Sequence, residues 1–538
     1  MRKMIVSTLS MILACVAAQS AQAQAHFLRG DSNHDKKVDL SDGINTLGYL
    51  FLGNAAIPCQ DAADVNDTGD IDIADAIYTL NFLFLGGPQP AAPFPIFEAD
   101  PTADELGCLG PAEDISGDIT ADRTLVRTKV YRLAAATFIK PGVTLTIEEG
   151  TTVLGKEGTA TTAGLLVVER GGKLVAVGTE THPVVFTSEK PVGSRGKANW
   201  GGILVLGNGS INVAGGLSLA EGLVDKQYGG GTTPNNDESS GQLSYVRIEF
   251  GGVALSLDNE VNGLSLFAAG KGTLLDHIQV KYNDDDAVEW FGGAANLKYG
   301  ISTGNTDDNI DSSFGWTGKV QFYVAHQNKD DTQTSGNGFE WDNSEPPVGT
   351  FGDLPRNLPM ISNVTMIGVG DPAATKGGQG MLLRRGTGAR IYNTIIQGFR
   401  LSGFDIDDSA TTDNIASGDF VVDYMTFFEN GSGGTQHCQP AGSETAAQKE
   451  DDPANNFKKT SCEFIQTTMT NNIFATVSPV VDPYNLTAPN FRPQNDALTN
   501  PFNASGLDSF FEPALYRGAV APDGDDWTQA RWVSYLRN

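Results

Sequence analysis

The chain has 538 residues, and 36 Lys+Arg against 65 Asp+Glu leave a formal net charge of −29. That balance opposes nucleic acid or an anionic membrane surface as partner and leaves cations and neutral sugars as reasonable ligands. With 40% hydrophobic and 19% charged residues the chain is not disordered, and 63 glycines point to many corners, favouring strands over helices.

Residues 1–23 read as a signal peptide. Arg2 and Lys3 form a basic start, Met4 to Ala14 is an apolar stretch too short to span a bilayer, and Ala21-Gln22-Ala23 is a small-residue cleavage site. The expectation is a protein that is secreted or held at the cell surface or in the periplasm. A competing reading takes Ile12-Leu13-Ala14-Cys15 as a lipobox, giving a lipoprotein anchored at Cys15. No later run reaches the roughly 18 apolar residues of a transmembrane segment. Without Cys15, four cysteines remain, an even number for an oxidising compartment, and their positions suggest Cys59 with Cys108 and Cys438 with Cys462. The first pair would tie the Pro-rich linker, residues 88–113, back onto the N-terminal module; the second would clip a polar insert, residues 439–461. Free or metal-binding thiols are the alternative.

The sharpest local signal is an internal repeat near the N-terminus. Asp31-Ser32-Asn33-His34-Asp35-Lys36-Lys37-Val38-Asp39-Leu40-Ser41-Asp42 recurs as Asp64-Val65-Asn66-Asp67-Thr68-Gly69-Asp70-Ile71-Asp72-Ile73-Ala74-Asp75, each followed by a near-identical apolar segment. Twelve-residue loops of this kind wrap a hard cation such as Ca²⁺, which takes six to eight oxygens. The metal ligands would be Asp31, Asn33, Asp35, Lys37 through its carbonyl, Asp39 and Asp42, then Asp64, Asn66, Thr68, Asp70, Asp72 and Asp75. The apolar segments read as helices ending at Gly53 and Gly86. Two acidic turns that merely cap helices are the plainer reading. The stretch before each loop leaves no room for an entering helix, and Gly53–Ala63 contains Pro58.

A doubled loop-then-helix unit without entering helices resembles a dockerin, over roughly residues 29–86. The resemblance implies an EF-hand-like calcium-binding module, residues 24–87, with a cohesin-like protein as partner or intramolecular docking. Lys36 stands where glycine normally makes the sharp turn of such a loop. Leu40-Ser41 and Ile73-Ala74 stand where many dockerins carry matched hydroxyl residues for cohesin recognition.

From about Asp114 the character changes to short β-rich runs separated by Gly, Asn and Asp corners: Val143–Ile147, Leu165–Val168, Lys173–Val177, Pro183–Thr187 and Gly202–Leu206. Leu274 and Ile278 align with Leu297 and Ile301, and these at the same offset with Val320 and Val324; Phe291 aligns likewise with Phe314. A period of this length predicts a mainly β chain coiled as a parallel β-helix, residues 114–538, with a C-terminal cap. Antiparallel solenoids and imperfect propellers are the alternatives. The stretch resembles secreted bacterial right-handed β-helix proteins and surface lipoproteins of unassigned role. The residues that carry this likeness are His182-Pro183-Val184-Val185-Phe186-Thr187-Ser188, Asn199-Trp200-Gly201-Gly202-Ile203, Asp284-Asp285-Asp286-Ala287-Val288-Glu289-Trp290-Phe291-Gly292-Gly293 and the ending Tyr516-Arg517-Gly518-Ala519 with Trp527.

On the same period lie the doublets Asp284-Asp285, Asp307-Asp308 and Asp330-Asp331. Stacked at about 4.8 Å, like charges repel by roughly 3–4 kcal/mol per neighbour at an effective dielectric near 20. Either the loops diverge, or this row is a second metal or ligand site completed by Glu289, Asp311, Glu340 and Asp342; a solvated acidic edge is the plainer reading. β-Helix pectate lyases hold Ca²⁺ with clustered acids while a cationic side chain abstracts a proton, and Lys281, Lys298, Arg384, Arg385 and Arg400 are available. Asn305-Thr306-Asp307 matches one motif of the β-helix polygalacturonases, but their Gly-His-Gly is absent from the sequence. Trp200, Trp290, Trp316 and Trp341 are candidates for sugar stacking or for core. The expectation is an exported calcium-binding protein, non-catalytic, for attachment or binding of an extracellular polysaccharide. A polysaccharide lyase or glycoside hydrolase is the alternative, and a structural self-associating surface protein the third.

Overall fold

The structure is a computed structural model that describes residues 25–102, 104, 106–159, 162–256, 259–329, 336–344, 346–371, 376–439 and 461–537. The proposed signal peptide, Asp330, Asp331 and nearly all of the polar insert lie outside the described residues.

Twenty-four strands join in one sheet whose ladders are all parallel, wound into successive coils as a parallel β-helix. Runs expected from the sequence appear as the strands Thr144–Ile147, Leu165–Val168, Lys173–Val177, Val184–Ser188 and Ile203–Leu206. From residue 241 onward each coil has one long strand, Gly241–Glu249, Leu274–Lys281, Asn296–Thr303, Lys319–His326, Met360–Ile367 and Ala389–Gln397, stacked in that order. One residue in each is left-handed: Tyr245, His277, Tyr299, Phe322, Asn363 and Asn393, with φ between 51° and 61°. An extra residue in that conformation bends the strand and resets its two-residue alternation. Leu275 before the bend and Ile278 and Val280 after it can therefore all face the core, and the coils of Lys319–His326 and Met360–Ile367 repeat the pattern with Val320, Tyr323 and Ala325, then Ile361, Val364 and Met366. Outside, the bend residues stack as an aromatic ladder, Tyr245 on His277 at 4.2 Å, His277 on Tyr299 at 4.5 Å and Tyr299 on Phe322 at 4.9 Å.

The C-terminal segment runs back along this outer face. Strand amides hold its backbone: Asn393 donates to the Phe502 carbonyl at 2.7 Å, Asn363 to Tyr516 at 2.7 Å, and Gln279 to Ser534 at 2.9 Å. Trp532 is sealed beneath it.

Between the first two coils of the expected period the true step is shorter by a single residue. Leu275, not Leu274, pairs with Leu297; Gln279 pairs with Ile301 and Phe291 with Ser313, whereas Leu297 with Val320 and Ile301 with Val324 keep the expected offset. Asparagines set the shorter step, since the Asn283 N–H donates to Asn305 Oδ1 at 2.9 Å and pins the two turns in register.

At the N-terminus, helices Leu40–Leu52 and Ile73–Leu85 pack together, each entered by a capping box, at Asp39 with Asp42 and at Asp72 with Asp75, and each ended by a left-handed glycine, Gly53 and Gly86. A single helical turn, Gln60–Ala63, does enter the second loop, a departure from the sequence expectation; Cys59, just before it, is bonded to Cys108. Cys438 is bonded to Cys462. Ala25, Phe27 and Ala62 pack with Val130 and Leu154 of the β-helix, and Leu28 and Phe97 with Val185. At the centre of this seam His26 Nε2 lies 2.6 Å from Glu98, Arg247 spans Glu98 and Glu249, and Lys281 reaches Glu249 at 3.3 Å.

Candidate functional site: an acidic cleft on the β-helix

A second face is built by the short strands Leu264–Phe267, Val288–Phe291, Ile310–Ser313, Phe339–Asp342 and Met381–Arg384, in parallel ladder. Alternation turns Val288, Trp290, Ile310, Phe339 and Trp341 inward and leaves Glu289, Asp311 and Glu340 stacked outward in register, with Asp342 beside Arg384. The turns preceding these strands add Asp285, Asp286, Asp307 and Asp308, and Glu221 and Glu260 approach from a neighbouring loop and hairpin. Together they line a cleft of about 570 Å³ with ten carboxylates against two guanidinium groups, Arg384 and Arg385, and with Tyr228, Phe267, Phe291 and Phe314 as its apolar surface.

The shorter step decides which acids meet. Asp285 lies over Asp307 and Asp286 over Asp308, the Asp308 N–H donating to Asp286 Oδ1 at 2.8 Å. This corrects the expected stack of equivalent doublets: Asp284 turns aside to accept a hydrogen bond from Thr306 at 2.9 Å, and in the third coil the Asn337 N–H donates to Asp308. Two compact triads result, Asp285 with Asp286 and Asp307, and Asp286 with Glu289 and Asp311, each offering oxygens within 4.8 Å of one another. Asp286 belongs to both. The doublets signalled this region, but Asp286, Glu221 and Glu260 were not among the site residues expected from the sequence; the triple Asp284-Asp285-Asp286, read at the shorter step against Asp307-Asp308, would have found Asp286.

Burial and mutual repulsion hold protons on these groups. The Asp285 carboxyl is pushed up to about 8 by desolvation and then by Asp307. Glu221 rises to about 7 through burial and Glu260, and Glu340 to about 7 because burial outweighs Arg384. Asp286, Glu289, Asp308 and Asp311 are all raised well above the usual carboxylate range by burial and then by neighbouring acids. Arg384 donates to Asp342 at 2.9 Å and to Glu340, and Arg385 to Asp342 at 2.8 Å. These pairs neutralise one end of the cleft and leave the Asp286 end without a cation among the described residues. A dense, partly desolvated set of carboxylate oxygens is the donor set of a hard divalent ion.

Other expected participants sit elsewhere. Lys281 is consumed in the seam, Lys298 pairs with Glu512 at 2.8 Å, and Arg400 lies on a separate cavity. Trp200, Trp290, Trp316 and Trp341 are all fully buried, with Trp290 stacked on Trp316 at 4.4 Å, so none presents a face to a sugar.

The two N-terminal loops share one conformation, left-handed at His34 and Lys36 in the first and at Asp67 and Gly69 in the second. Lys36 adopts the turn that Gly69 makes, with φ 81° at both. Asp31 accepts from the Asp35 and Lys36 N–H groups, and Asp64 from Thr68 and Gly69; Asp42 and Asp75 accept from the Asp39 and Asp72 N–H groups. Burial raises Asp31 to about 7 and Asp42 and Asp75 to about 6. Asn33 and Asp35 bond to one another, and Asp39 and Asp72 cap the helices. Lys37 donates its N–H to Asp35, Thr68 points its hydroxyl at the Asp70 carbonyl, and Asn66 N–H donates to Asp75. Compact triads here recruit Asp100 and Asp104 from the Pro-rich segment, as Asp61 with Asp100 and Asp104, and Asp64 with Asp67 and Asp104, a contribution the repeat did not reveal.

Among the described residues no helix is long and apolar enough to cross a membrane. No curated protein and no solved structure matches the chain. Residues 117–475 match the family described as a pectate-lyase-like β-helix domain, and the chain belongs to that family.

Proposed function

We propose that the protein binds an extracellular polysaccharide through hard divalent cations, Ca²⁺ first among them, held in the acidic cleft. The observation that carries this reading is the convergence on Asp286 of two carboxylate triads in a concave site with an apolar wall. The residues fit such an ion, since the donors are all oxygens and the nearest guanidinium groups are engaged by Glu340 and Asp342. Asp285, Asp286, Asp307, Glu289 and Asp311 would hold it, and its remaining positions would take sugar hydroxyl or carboxylate oxygens. In this reading the N-terminal loops are a dockerin-like calcium-binding module exported with the β-helix. The packing of Ala25–Leu28 and Phe97 against the β-helix supports intramolecular docking over an open partner site on that side.

Lyase chemistry is the second reading, favoured by Arg384 and Arg385 on the cleft wall. A general base must shed its proton, and Asp342 and Glu340 hold the Arg384 proton more tightly than usual. That favours binding over elimination. The test is calorimetry of the full chain with Ca²⁺, then with acidic and neutral polysaccharides in Ca²⁺ and in EDTA. Calcium-dependent binding by the parent and its loss in Asp286→Asn support the reading; binding indifferent to both overturns it. Appearance of unsaturated uronate absorbance would replace binding with elimination.

A further inference from the structure

The Pro-rich segment returns to the N-terminal module at the Cys59–Cys108 bond, and beside that bond three acids meet: Asp61 on the turn Gln60–Ala63, Asp100 and Asp104. One oxygen of each lies within 4.8 Å of the others. We propose that these three residues hold a hard divalent cation of their own, separate from the ions of the two repeat loops and of the acidic cleft, and that it clasps the Pro-rich segment onto the second loop.

The state of Asp61 carries the proposal. The residue is 7% exposed, its Oδ1 is sealed from solvent without a hydrogen-bond partner, and the Cys108 Sγ that lies 3.6 Å from Oδ2 has no proton to donate, being bonded to Cys59. A buried carboxylate without a donor is costly unless a cation meets it. Arg29 does not fill that role. Its Nη1 donates to the Asp61 and Asp64 carbonyls and its Nε to the Ala92 carbonyl, while Nη2 lies 2.9 Å from Asp67 and 3.0 Å from Asp100. The guanidinium thus touches the backbone of Asp61 and spends its charge on other acids.

The internal repeat shows that packing alone does not ask for an acid here. One repeat earlier the position of Asp61 is taken by Leu28, which packs with Phe97 and Val185. The position of Lys36 is taken by Gly69, where a Cβ would fall 3.3 Å from the Asp104 Cβ, so glycine makes room for the acid of the Pro-rich segment over the second loop. Asp100 Oδ1 accepts from the Thr102 N–H at 2.9 Å and its hydroxyl at 2.8 Å, and Asp104 Oδ1 accepts from the Leu106 N–H at 2.7 Å. These bonds hold both carboxylates in place and leave Oδ2 of each without a donor among the described residues. Three carboxylates supply about three to six oxygens, and water would complete the six to eight that Ca²⁺ takes.

The test counts Ca²⁺ bound to the full chain by equilibrium dialysis at pH 8. Asp61→Asn should bind about one ion fewer than the parent, and adding it to Asp64→Asn, which disables the second loop, should remove about one more than Asp64→Asn alone. Asp523→Asn, an exposed acid outside every cluster, should bind calcium as the parent does. An unchanged count in Asp61→Asn, or a double variant no poorer in calcium than Asp64→Asn, overturns the clasp. Melting gives a second readout. In EDTA Asp61→Asn should melt no lower than the parent, because repulsion is relieved, and in Ca²⁺ it should melt lower; an equal fall in both would make Asp61 purely structural and overturn the proposal. If Asp61→Asn fails to fold, as read by circular dichroism, the exposed Asp104→Asn in the Asp64→Asn background decides: a count equal to that of Asp64→Asn alone overturns the site. Failure of the acidic-cleft reading shows separately, as an unchanged calcium count in Asp286→Asn.

Discussion

Two regions bury clusters of carboxylates, and the protein treats them in opposite ways. In the seam between the N-terminal segment and the β-helix, Glu98 and Glu249 sit with His26, Arg247 and Lys281, and the Arg247 and Lys281 charges hold both carboxyls below their usual range against the penalty of burial. In the cleft, Asp286, Glu289 and Asp308 are also buried and Asp311 is half-buried, yet their neighbours are further acids and their carboxyls rise. Burial is common to both. The compensation differs: the chain supplies opposite charge in the seam, whereas in the cleft the carboxyls keep protons, which in the proposed reading a bound cation displaces.

Breaking the compensation in the seam should have the largest effect. Lys281→Met leaves Glu249 short of a partner in a fully buried position, and a loss of about 3–5 kcal/mol is expected. Denaturant melts at neutral pH would show it, together with release of the N-terminal segment to proteolysis. A loss below about 1 kcal/mol would mean that Arg247 alone compensates the seam.

The pH dependence sharpens the contrast because the signs oppose. In the cleft the folded state keeps protons that the unfolded chain has released, so without cations the stability from these groups is lost as pH rises from about 4 through about 8, the value reached by Asp285. In the seam Glu98 and His26 bind protons more weakly folded than unfolded, so their contribution is lost as pH falls. Melting temperatures in EDTA should pass through a maximum, and millimolar Ca²⁺ should remove the alkaline decline alone, with proton release on binding. A decline at high pH that calcium leaves untouched would place its origin outside the cleft.

Asp286→Asn keeps an oxygen for the Asp308 N–H and removes the charge common to both triads. In EDTA at about pH 8 a gain of about 1 kcal/mol is expected, shrinking toward zero near pH 5, and calorimetry should lose calcium binding in the cleft. The smallest effect belongs to Asp284→Asn. Its side chain accepts from Thr306 and lies off the cleft, so stability should change by less than about 0.5 kcal/mol with cation stoichiometry unchanged. A large calcium defect in this variant would restore the stack of equivalent doublets to consideration.

The coil architecture was legible because inward apolar residues recur at nearly constant spacing, and glycine at Gly53 and Gly86 marked both helix ends. The loop repeat was legible for the same reason, down to its shared backbone turns at Lys36 and Gly69. Spacing alone misplaced the acidic row by a single position. Apolar ladders tolerate either step, and the choice between them was made by the Asn283–Asn305 hydrogen bond, which no periodicity displays.

The sequence by itself determined the parallel β-helix, the doubled acidic loops, the two cysteine pairs and the approximate place of the acidic strip, because each is a local or periodic pattern. Tertiary structure alone decided that Asp286 is shared by two triads, that Glu221 and Glu260 close the same cleft, that the four tryptophans are core, and that Lys281 neutralises a seam instead of serving a site. These are relations between residues far apart in the chain. Whether a buried carboxylate meets Arg247 or another acid depends on which coils and loops come to lie side by side, and the energy of a charge is set by that neighbour and not by its place in the chain.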